Sequence, residues 1–134
     1  MVQTARERAG AHKFSEAEQL ARKAIAKAGA HDLEVRARAY GVLGFALAQQ
    51  GKNAAGVEAY RQAVALRMTA SRMTADEVDD IAAQLQAMAA LQRKTGDIPG
   101  ARASMARAVD LMAKQHGRNA EVTKLFEQAA NAMR

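Results

Sequence analysis

The sequence predicts an all-helical fold, and three observations support this prediction. About a quarter of the 134 residues are alanine, the strongest helix former. Proline occurs once and aromatic residues make up 4% of the chain, so residues that favour strands are scarce. Apolar and small residues recur with the period of a helix, as in the set Tyr40, Leu43, Gly44 and Leu47. We therefore expect about seven helices joined by short links.

Size and composition also restrict the class of protein. A chain of this length is typical of a single domain, which we predict to span residues 1–134. It contains no cysteine, which excludes disulfides, thiolate nucleophiles and cysteine-based metal sites. The first residues are charged where a signal peptide is apolar, and no run approaches the ~20 apolar residues of a membrane span. We expect a cytoplasmic protein that has no membrane partner.

The first three helices are predicted from their start and stop signals. The first spans Val2 to about Ala11. Ser15 and Glu18 form a capping box for the second helix, 15–28, which Gly29 ends in the left-handed conformation. The third helix is capped by Asp32, runs to about residue 50 and ends at Gly51.

The fourth and fifth helices follow the same logic. Asn53 caps the fourth, which continues to about Ala70. Thr74 and Glu77 form a second capping box, and the first turns of the fifth helix carry carboxylates, which the helix dipole favours. This acidic cluster lacks the glycine and the closing glutamate of a calcium loop, so we predict no metal there.

The last two helices complete the prediction. Gly96 ends the fifth helix, Asp97 caps the sixth, and Pro99 lies in its first turn, where a missing N–H costs little. Gly117 ends the sixth helix, and Asn119 caps a last helix that runs to about residue 133.

One unit recurs along these helices. Tyr40, Leu43, Gly44 and Leu47 are followed by Gly51 and then by Gly56, Tyr60 and Ala63. This order resembles the tetratricopeptide repeat, in which a bulky residue and a Leu-Gly pair on one helix precede small and aromatic residues on the next. A second copy comprises Leu85, Met88, Ala89, Gly96, Ala101, Met105 and Ala108. Parts of two further copies comprise Ala17, Ala21, Ala24, Phe126, Ala129, Ala130 and Met133.

The spacing of the copies departs from the standard repeat. Leu85 follows Tyr40 by 45 residues and Phe126 follows Leu85 by 41, against the usual 34. The chain is in this respect similar to the longer-period tetratricopeptide arrays of the kinesin light chain kind. The resemblance implies a right-handed superhelical array of antiparallel helix pairs over 1–30, 32–70 and 74–115, with a capping helix over 119–134. A chance match by an alanine-rich helical bundle is the alternative.

The resemblance also implies a function. Tetratricopeptide arrays are protein-binding scaffolds that hold a partner peptide or helix in a concave groove, and the fold brings no catalytic role and no cofactor. The first helix of each pair lines the groove. The positions that this geometry places there are Gly41, Phe45, Ala48, Gln49, Gln86, Ala90, Arg93, Lys94, Lys124, Glu127 and Asn131.

Three of these residues are open to a functional and a structural interpretation. Phe45 is either an aromatic anchor for the partner or a packing residue against the neighbouring repeat. Arg93 and Lys94 either bind an acidic side chain or chain terminus of the partner, or complement the C-terminal end of their helix. Some family members clamp a C-terminal carboxylate with asparagines. We do not expect that clamp here, because Phe45 and Ala90 stand in the asparagine positions.

The net charge suggests an alternative partner. The chain carries +6, of which +5 lies in residues 1–67. The basic residues that would bind a nucleic acid are Arg6, Arg8, Lys13, Arg22, Lys23, Arg36 and Arg38. They are mixed with glutamates, and few aromatic residues are present to stack on bases. We therefore favour a protein partner, or self-association, over a nucleic acid.

No residue pattern indicates an enzyme or a metal site. His12, His31 and His116 are isolated, without the close pairs that bind metals. Ser15, Ser71 and Ser104 have no nearby base or oxyanion loop in the sequence. We expect a binding protein that has no catalytic residues, no metal and no cofactor.

Overall fold

The structure is a computed structural model that describes residues 13–29, 32–69 and 73–133. Within these ranges the chain forms six helices and no strand, which confirms the all-helical prediction. The first predicted helix, Val2 to Ala11, lies outside the described residues. The helices are α1 (Phe14–Lys27), α2 (Leu33–Gln49), α3 (Asn53–Met68), α4 (Ala75–Lys94), α5 (Ile98–His116) and α6 (Glu121–Asn131).

Three predicted helix starts are confirmed by side-chain caps. The Val35 N–H donates to Asp32 Oδ1 at 3.4 Å, and the Glu77 N–H donates to Thr74 Oγ1 at 3.2 Å. The Gly100 N–H donates to Asp97 Oδ1 at 2.9 Å, with the proline in the first turn as expected. In each case a side-chain oxygen accepts from an N–H that has no partner within the helix.

Three other predicted caps are wrong. α1 begins at Phe14, so Ser15 already lies inside the helix, and the residue at the cap position, Lys13, makes no capping hydrogen bond with its side chain. Asn53 is likewise the first helical residue of α3, and α6 begins at Glu121 rather than after Asn119. A short polar residue near a helix start fits the cap position and the first turn equally well, and packing against the rest of the unit decides between them.

The helix ends follow the predicted glycines in three places. Gly51, Gly96 and Gly117 have φ angles of +76°, +87° and +94°, a region that residues with a side chain rarely adopt. The prediction for Gly29 is wrong, because α1 ends at Lys27 and an extended Ala28 leads the chain away from the helix.

The described residues fall into two compact units, and the division of the chain between them lies after Thr69. In the first unit, α2 packs against both α1 and α3. Because it has a neighbour on two sides, α2 buries residues around most of its circumference. The core cluster comprises Ala21, Val42, Leu43, Leu47 and Ala59, with Leu20, Ile25 and Tyr40 at its edge.

Gly44 of α2 lies close to the ring of Tyr60 on α3. A Cβ at this position would lie 2.9 Å from Cγ of Tyr60 and 3.0 Å from both Cδ atoms of the ring. Carbon atoms in contact are ordinarily separated by ~3.5–4.0 Å, so only glycine leaves room for the ring. The tyrosine is 6% exposed, and burial raises the pKa of its phenol to about 12.

In the second unit, α4 packs on α5 and α5 packs on α6. The helical period predicts one apolar face on α4, and this is confirmed, because the residues on that face, Val78, Ile81, Leu85, Met88 and Ala89, are all buried. A buried polar pair also joins α4 to α5, as Ser104 Oγ donates to Gln92 Oε1 at 2.7 Å.

The last helix packs on α5, and its apolar residues cover a cluster to which α4 and α5 both contribute. Phe126, Ala129, Ala130 and Met133 cover the cluster of Ala89, Ala101 and Met105. The helical period predicts that Leu125 shares the apolar stripe of this helix with Phe126, Ala129 and Met133, but its side chain is 56% exposed. The physical reason is that Thr123 is fully buried and its Oγ1 donates to the Gly117 carbonyl at 2.7 Å, which turns the buried face away from Leu125. None of the described helices is long and apolar enough to cross a bilayer.

Candidate partner-binding site

A groove with a volume of about 330 Å³ lies over α2 in the first unit. We call it the α2 groove. Its floor is apolar and its rim is polar, an arrangement typical of sites that bind another molecule. The residues that line it are Arg22, Tyr40, Leu43, Leu47, Ala55, Glu58, Ala59 and Gln62.

The helical period explains which residues form the floor of the α2 groove. Tyr40, Leu43 and Leu47 occupy one face of α2, because residues three, four and seven apart lie on the same side of a helix. Ala55 and Ala59 are one turn apart on α3, and their small side chains leave the space open. The two leucines are 4% and 1% exposed, so they form the bottom of the groove, whereas Tyr40 is only half-buried.

Most charges on the rim are neutralised within the unit. Arg22 Nε donates to Glu18 Oε2 at 3.0 Å. On the opposite side, Glu58 accepts from Arg61 at 2.7 Å and from Gln62 at 3.3 Å. These side chains can hydrogen-bond a partner, but they contribute little net charge.

Arg36 is the exception. Its guanidinium carbon lies 6.0 Å from the centroid of the Tyr40 ring, a cation–π distance. Among the residues that the structure describes, no carboxylate forms an ion pair with it. Within the described part of the chain, Arg36 is therefore a positive charge without a counter-ion, and it lies beside the aromatic residue of the groove.

Glu18 holds α1 in place at this site. Its carboxylate accepts from Lys52 Nζ and Gln50 Nε2, both at 3.0 Å, in addition to Arg22. The hydrogen bond from Lys52 is the largest of the effects that hold the pKa of Glu18 below its usual value. The carboxylate thus joins α1 to the turn between α2 and α3, and fixes the separation of the helices that border the groove.

The residues predicted on α2 lie elsewhere. Phe45 is 41% exposed, and its ring meets that of Phe14 edge to face, with centroids 5.9 Å apart. Gly41 is half-buried and Gln49 is exposed, and none of these three lines the α2 groove. The stripe of Tyr40, Leu43 and Leu47 lines the groove instead, although the two leucines are also buried in the core cluster of the first unit. The feature of the sequence that could have indicated this groove is the pair of alanines, Ala55 and Ala59, one turn apart on the helix that follows Tyr40.

The predicted residues of the second unit divide between two helices. Gln86, Ala90, Arg93 and Lys94 are exposed on α4. On α6, Lys124 is exposed, whereas Glu127 and Asn131 line a second groove of about 300 Å³. Its other lining residues are Ala106, Val109, Asp110 and Ala130. The predicted α4 residues do not border that groove.

No family model matches the sequence, and the curated proteins compared with it include no match.

Proposed function

We propose that the chain is an interaction module of the tetratricopeptide type that binds a peptide or helix of a partner protein. The observation that carries this proposal is the α2 groove, with its apolar floor and polar rim. A groove of about 330 Å³ lies at the lower end of the range for small binding sites, ~300–1,000 Å³, and suits one large apolar side chain.

The energetics of such a contact are favourable. Burying a leucine- or phenylalanine-sized side chain contributes roughly 1.5–3 kcal/mol. Leu43 and Leu47 form a preordered floor, so the protein loses little side-chain entropy when the anchor enters. Polar groups at the rim supply hydrogen bonds that orient the main chain of the partner.

The repeat pattern supports the same proposal. Gly44 of α2 and Tyr60 of α3, which occupy characteristic positions of the motif, are in direct contact. At the aligned positions of the second sequence copy, Ala89 and Met105 are buried in one cluster. These contacts support the proposal that the same helix pair occurs twice in the chain.

A nucleic acid is the less favoured partner, since much of the basic charge of the first unit is neutralised. Lys52 lies 3.0 Å from Glu18, and Arg38 lies 3.6 Å from Glu34. Arg22 and Arg61 are also ion-paired. A salt titration with a labelled single-stranded DNA tests this, because phosphate contacts make the affinity fall steeply as salt is added.

The main test uses two neighbouring alanines. Ala54 and Ala55 are both exposed in the first turn of α3, but only Ala55 lines the groove. Peptides are selected from a random display library against the native chain, and their affinities are then measured for two variants. Ala55→Gln places a polar side chain over the floor and should weaken binding by about tenfold, which corresponds to ~1.4 kcal/mol. Ala54→Gln, the matched control, should leave the affinity unchanged.

Two results would contradict the proposal. Equal affinities for both variants would show that the groove is not the site. Loss of binding in Phe45→Ala, with Ala55→Gln unaffected, would assign the site to the face originally predicted from the sequence.

A further inference from the structure

We propose that copies of this chain associate head to tail, with one face of α1 in one copy seated in the groove between α5 and α6 of the next copy. We call this surface of α1 the lysine face, which comprises Lys23, Ala26 and Lys27, and we call the second groove the α5–α6 groove. The inference goes beyond the proposed function, because it concerns another groove and another partner, a second copy of the chain.

The α5–α6 groove is acidic. Asp110 on α5 and Glu127 on α6 both line it. Within the described ranges, no basic residue lines this groove and neither carboxylate forms an ion pair. Glu127 is half-buried, so less water screens its charge. The groove therefore presents two negative charges that cations of another molecule can neutralise.

The C-terminal end of α6 adds to this negative potential. Asn131, the last residue of α6, lines the groove. Carbonyl groups at a helix C-terminus carry partial negative charge and favour a nearby cation, but the last turn of α6 holds no basic residue. The apolar lining of the groove consists of Ala106, Val109 and Ala130. A lysine side chain suits both features, because its methylene groups pack on apolar surface while its ammonium group meets the negative charges.

The first unit carries complementary charges on α1. Lys23 and Lys27 are four residues apart, so they lie on the same face of the helix, and both are exposed. Among the described residues, neither lysine forms an ion pair, whereas the neighbouring Arg22 is paired with Glu18. Two like charges at this spacing repel each other, and carboxylates of a second molecule relieve that repulsion.

Shape and the wider distribution of charge favour a second copy as the occupant. Ala26 is exposed and lies three residues after Lys23, so its small side chain lets the lysine face approach the groove closely. Residues 1–67 carry a net charge of +5 and residues 68–134 carry +1. A head-to-tail contact therefore brings the basic part of one copy to the more nearly neutral part of the next, which avoids the repulsion between two strongly basic parts.

This contact joins two different surfaces of the same chain. Each copy in a pair keeps one free groove and one free lysine face, so further copies add until the assembly closes into a ring or continues as an open chain. The interface is small and depends on exposed charge pairs. It is therefore of low affinity, forms at high protein concentration and weakens as salt is added.

Sedimentation velocity at low salt tests the assembly. For the native chain, the average sedimentation coefficient should rise with protein concentration beyond that of a dimer, and added salt should reverse the rise. Two charge reversals locate the contact. The groove variant is Asp110→Lys/Glu127→Lys, and the face variant is Lys23→Glu/Lys27→Glu. Each variant alone should stay monomeric, because its groove and its face then carry charge of the same sign.

Combining the two reversals should restore the assembly. An equimolar mixture of the groove variant and the face variant should associate, because the reversed groove of one meets the reversed face of the other. A single chain that carries all four substitutions should also self-associate like the native chain. Its net charge is still +6, since the changes cancel, so this variant separates the paired contact from the effect of net charge.

A milder pair of variants provides the matched control. Lys23→Gln/Lys27→Gln should weaken the association by about tenfold. Arg93→Gln/Lys94→Gln lowers the net charge equally, but these two residues are exposed on α4 and line neither groove. That control should associate like the native chain. Circular dichroism of each variant verifies that the helices are intact.

Four results would overturn this inference. A native chain that stays monomeric at every concentration would exclude the assembly, and a closed dimer that adds no further copies would exclude a head-to-tail contact. Association that both charge reversals leave unchanged would place the contact elsewhere. Failure of the mixture and of the fourfold variant to associate would show that the two surfaces do not meet. The proposed function is tested separately, by peptide affinity for Ala55→Gln.

Discussion

The contact between Gly44 and the Tyr60 ring leads to a quantitative prediction about stability. Gly44→Ala introduces a Cβ only 2.9 Å from Cγ of the ring, so the ring or the helix has to move. Overpacking of this kind costs about 1–3 kcal/mol, whereas alanine recovers about 1 kcal/mol of helix propensity relative to glycine. We expect a net loss of about 1 kcal/mol in the free energy of unfolding. Gly44→Leu should lose more, up to about 3 kcal/mol.

The second copy of the repeat suggests a substitution that should relieve the clash at Gly44→Ala. Its aligned positions hold Ala89 and Met105, both fully buried. Methionine is flexible and adapts to a neighbouring methyl group, whereas the tyrosine ring is rigid. Tyr60→Met should therefore make room for the alanine. We expect the double variant Gly44→Ala/Tyr60→Met to show a favourable coupling of about 1 kcal/mol relative to the two single variants.

Urea unfolding measures these differences, followed by far-ultraviolet circular dichroism and by tyrosine fluorescence. The chain has two tyrosines and no tryptophan, and both tyrosines lie in the first unit, so the fluorescence reports on that unit alone. Ala48→Gly, one turn further along α2, gives the helix-propensity contribution in the same helix. Two results would refute the close approach of Gly44 and Tyr60. One is a free energy of unfolding that rises by about 1 kcal/mol in Gly44→Ala, and the other is the absence of coupling in the double variant.

Three further predictions concern ionisation and the terminal helix. Burial raises the pKa of Tyr60 from 10.0 to about 12, so the phenol ionises at a lower pH in the unfolded chain than in the folded one. The stability that the neutral phenol contributes should therefore be fully present below pH 10 and should be lost as the pH rises through 12. Ultraviolet titration of Tyr40→Phe, which retains only this tyrosine, should show the late ionisation, and a transition at the ordinary pKa would contradict it. The hydrogen bond from Lys52 is the main cause of the lowered pKa of Glu18. The stability that the ionised carboxylate provides is therefore fully present at a pH above 4.5, its usual pKa, and is lost as the pH falls through the lower pKa of the folded state. Glu18→Gln should cost about 1 kcal/mol near neutral pH in urea unfolding and reduce the acid dependence, whereas unchanged acid dependence would count against the contact. Deletion of residues 119–134 uncovers the cluster around Met105, so the shortened chain should self-associate in sedimentation or unfold less cooperatively. A monodisperse monomer of native stability would show that α6 is not a cap.

The helices, three of their caps and three of their glycine ends could be predicted from the sequence, because each depends on neighbours a few residues away. An aspartate such as Asp97 followed by Pro99 leaves the backbone few choices, and a glycine at positive φ needs no tertiary partner. The buried stripe of α4 was equally predictable, because a helix that packs on one main neighbour buries one face.

The errors occur where a side chain has competing partners. Ser15 and Asn53 are credible caps by local pattern, yet the first turns of α1 and α3 include them, and Glu18 binds Lys52 and Gln50 instead of completing a capping box. Leu125 is exposed because a threonine of the same helix takes the buried position and satisfies its hydroxyl on a backbone carbonyl.

The sequence by itself determined the helical fold, the helix ends set by glycine and the small residue at Gly44 that lets two helices approach. Only the tertiary structure decided where a groove forms on the surface. Tyr40 belongs to an apolar stripe whose leucines are buried in the core, and only the placement of α3, whose small alanines border that stripe, leaves a groove above it. Helical periodicity specifies which residues share a face, but whether that face is covered depends on the size and position of side chains on another helix, which no local pattern contains.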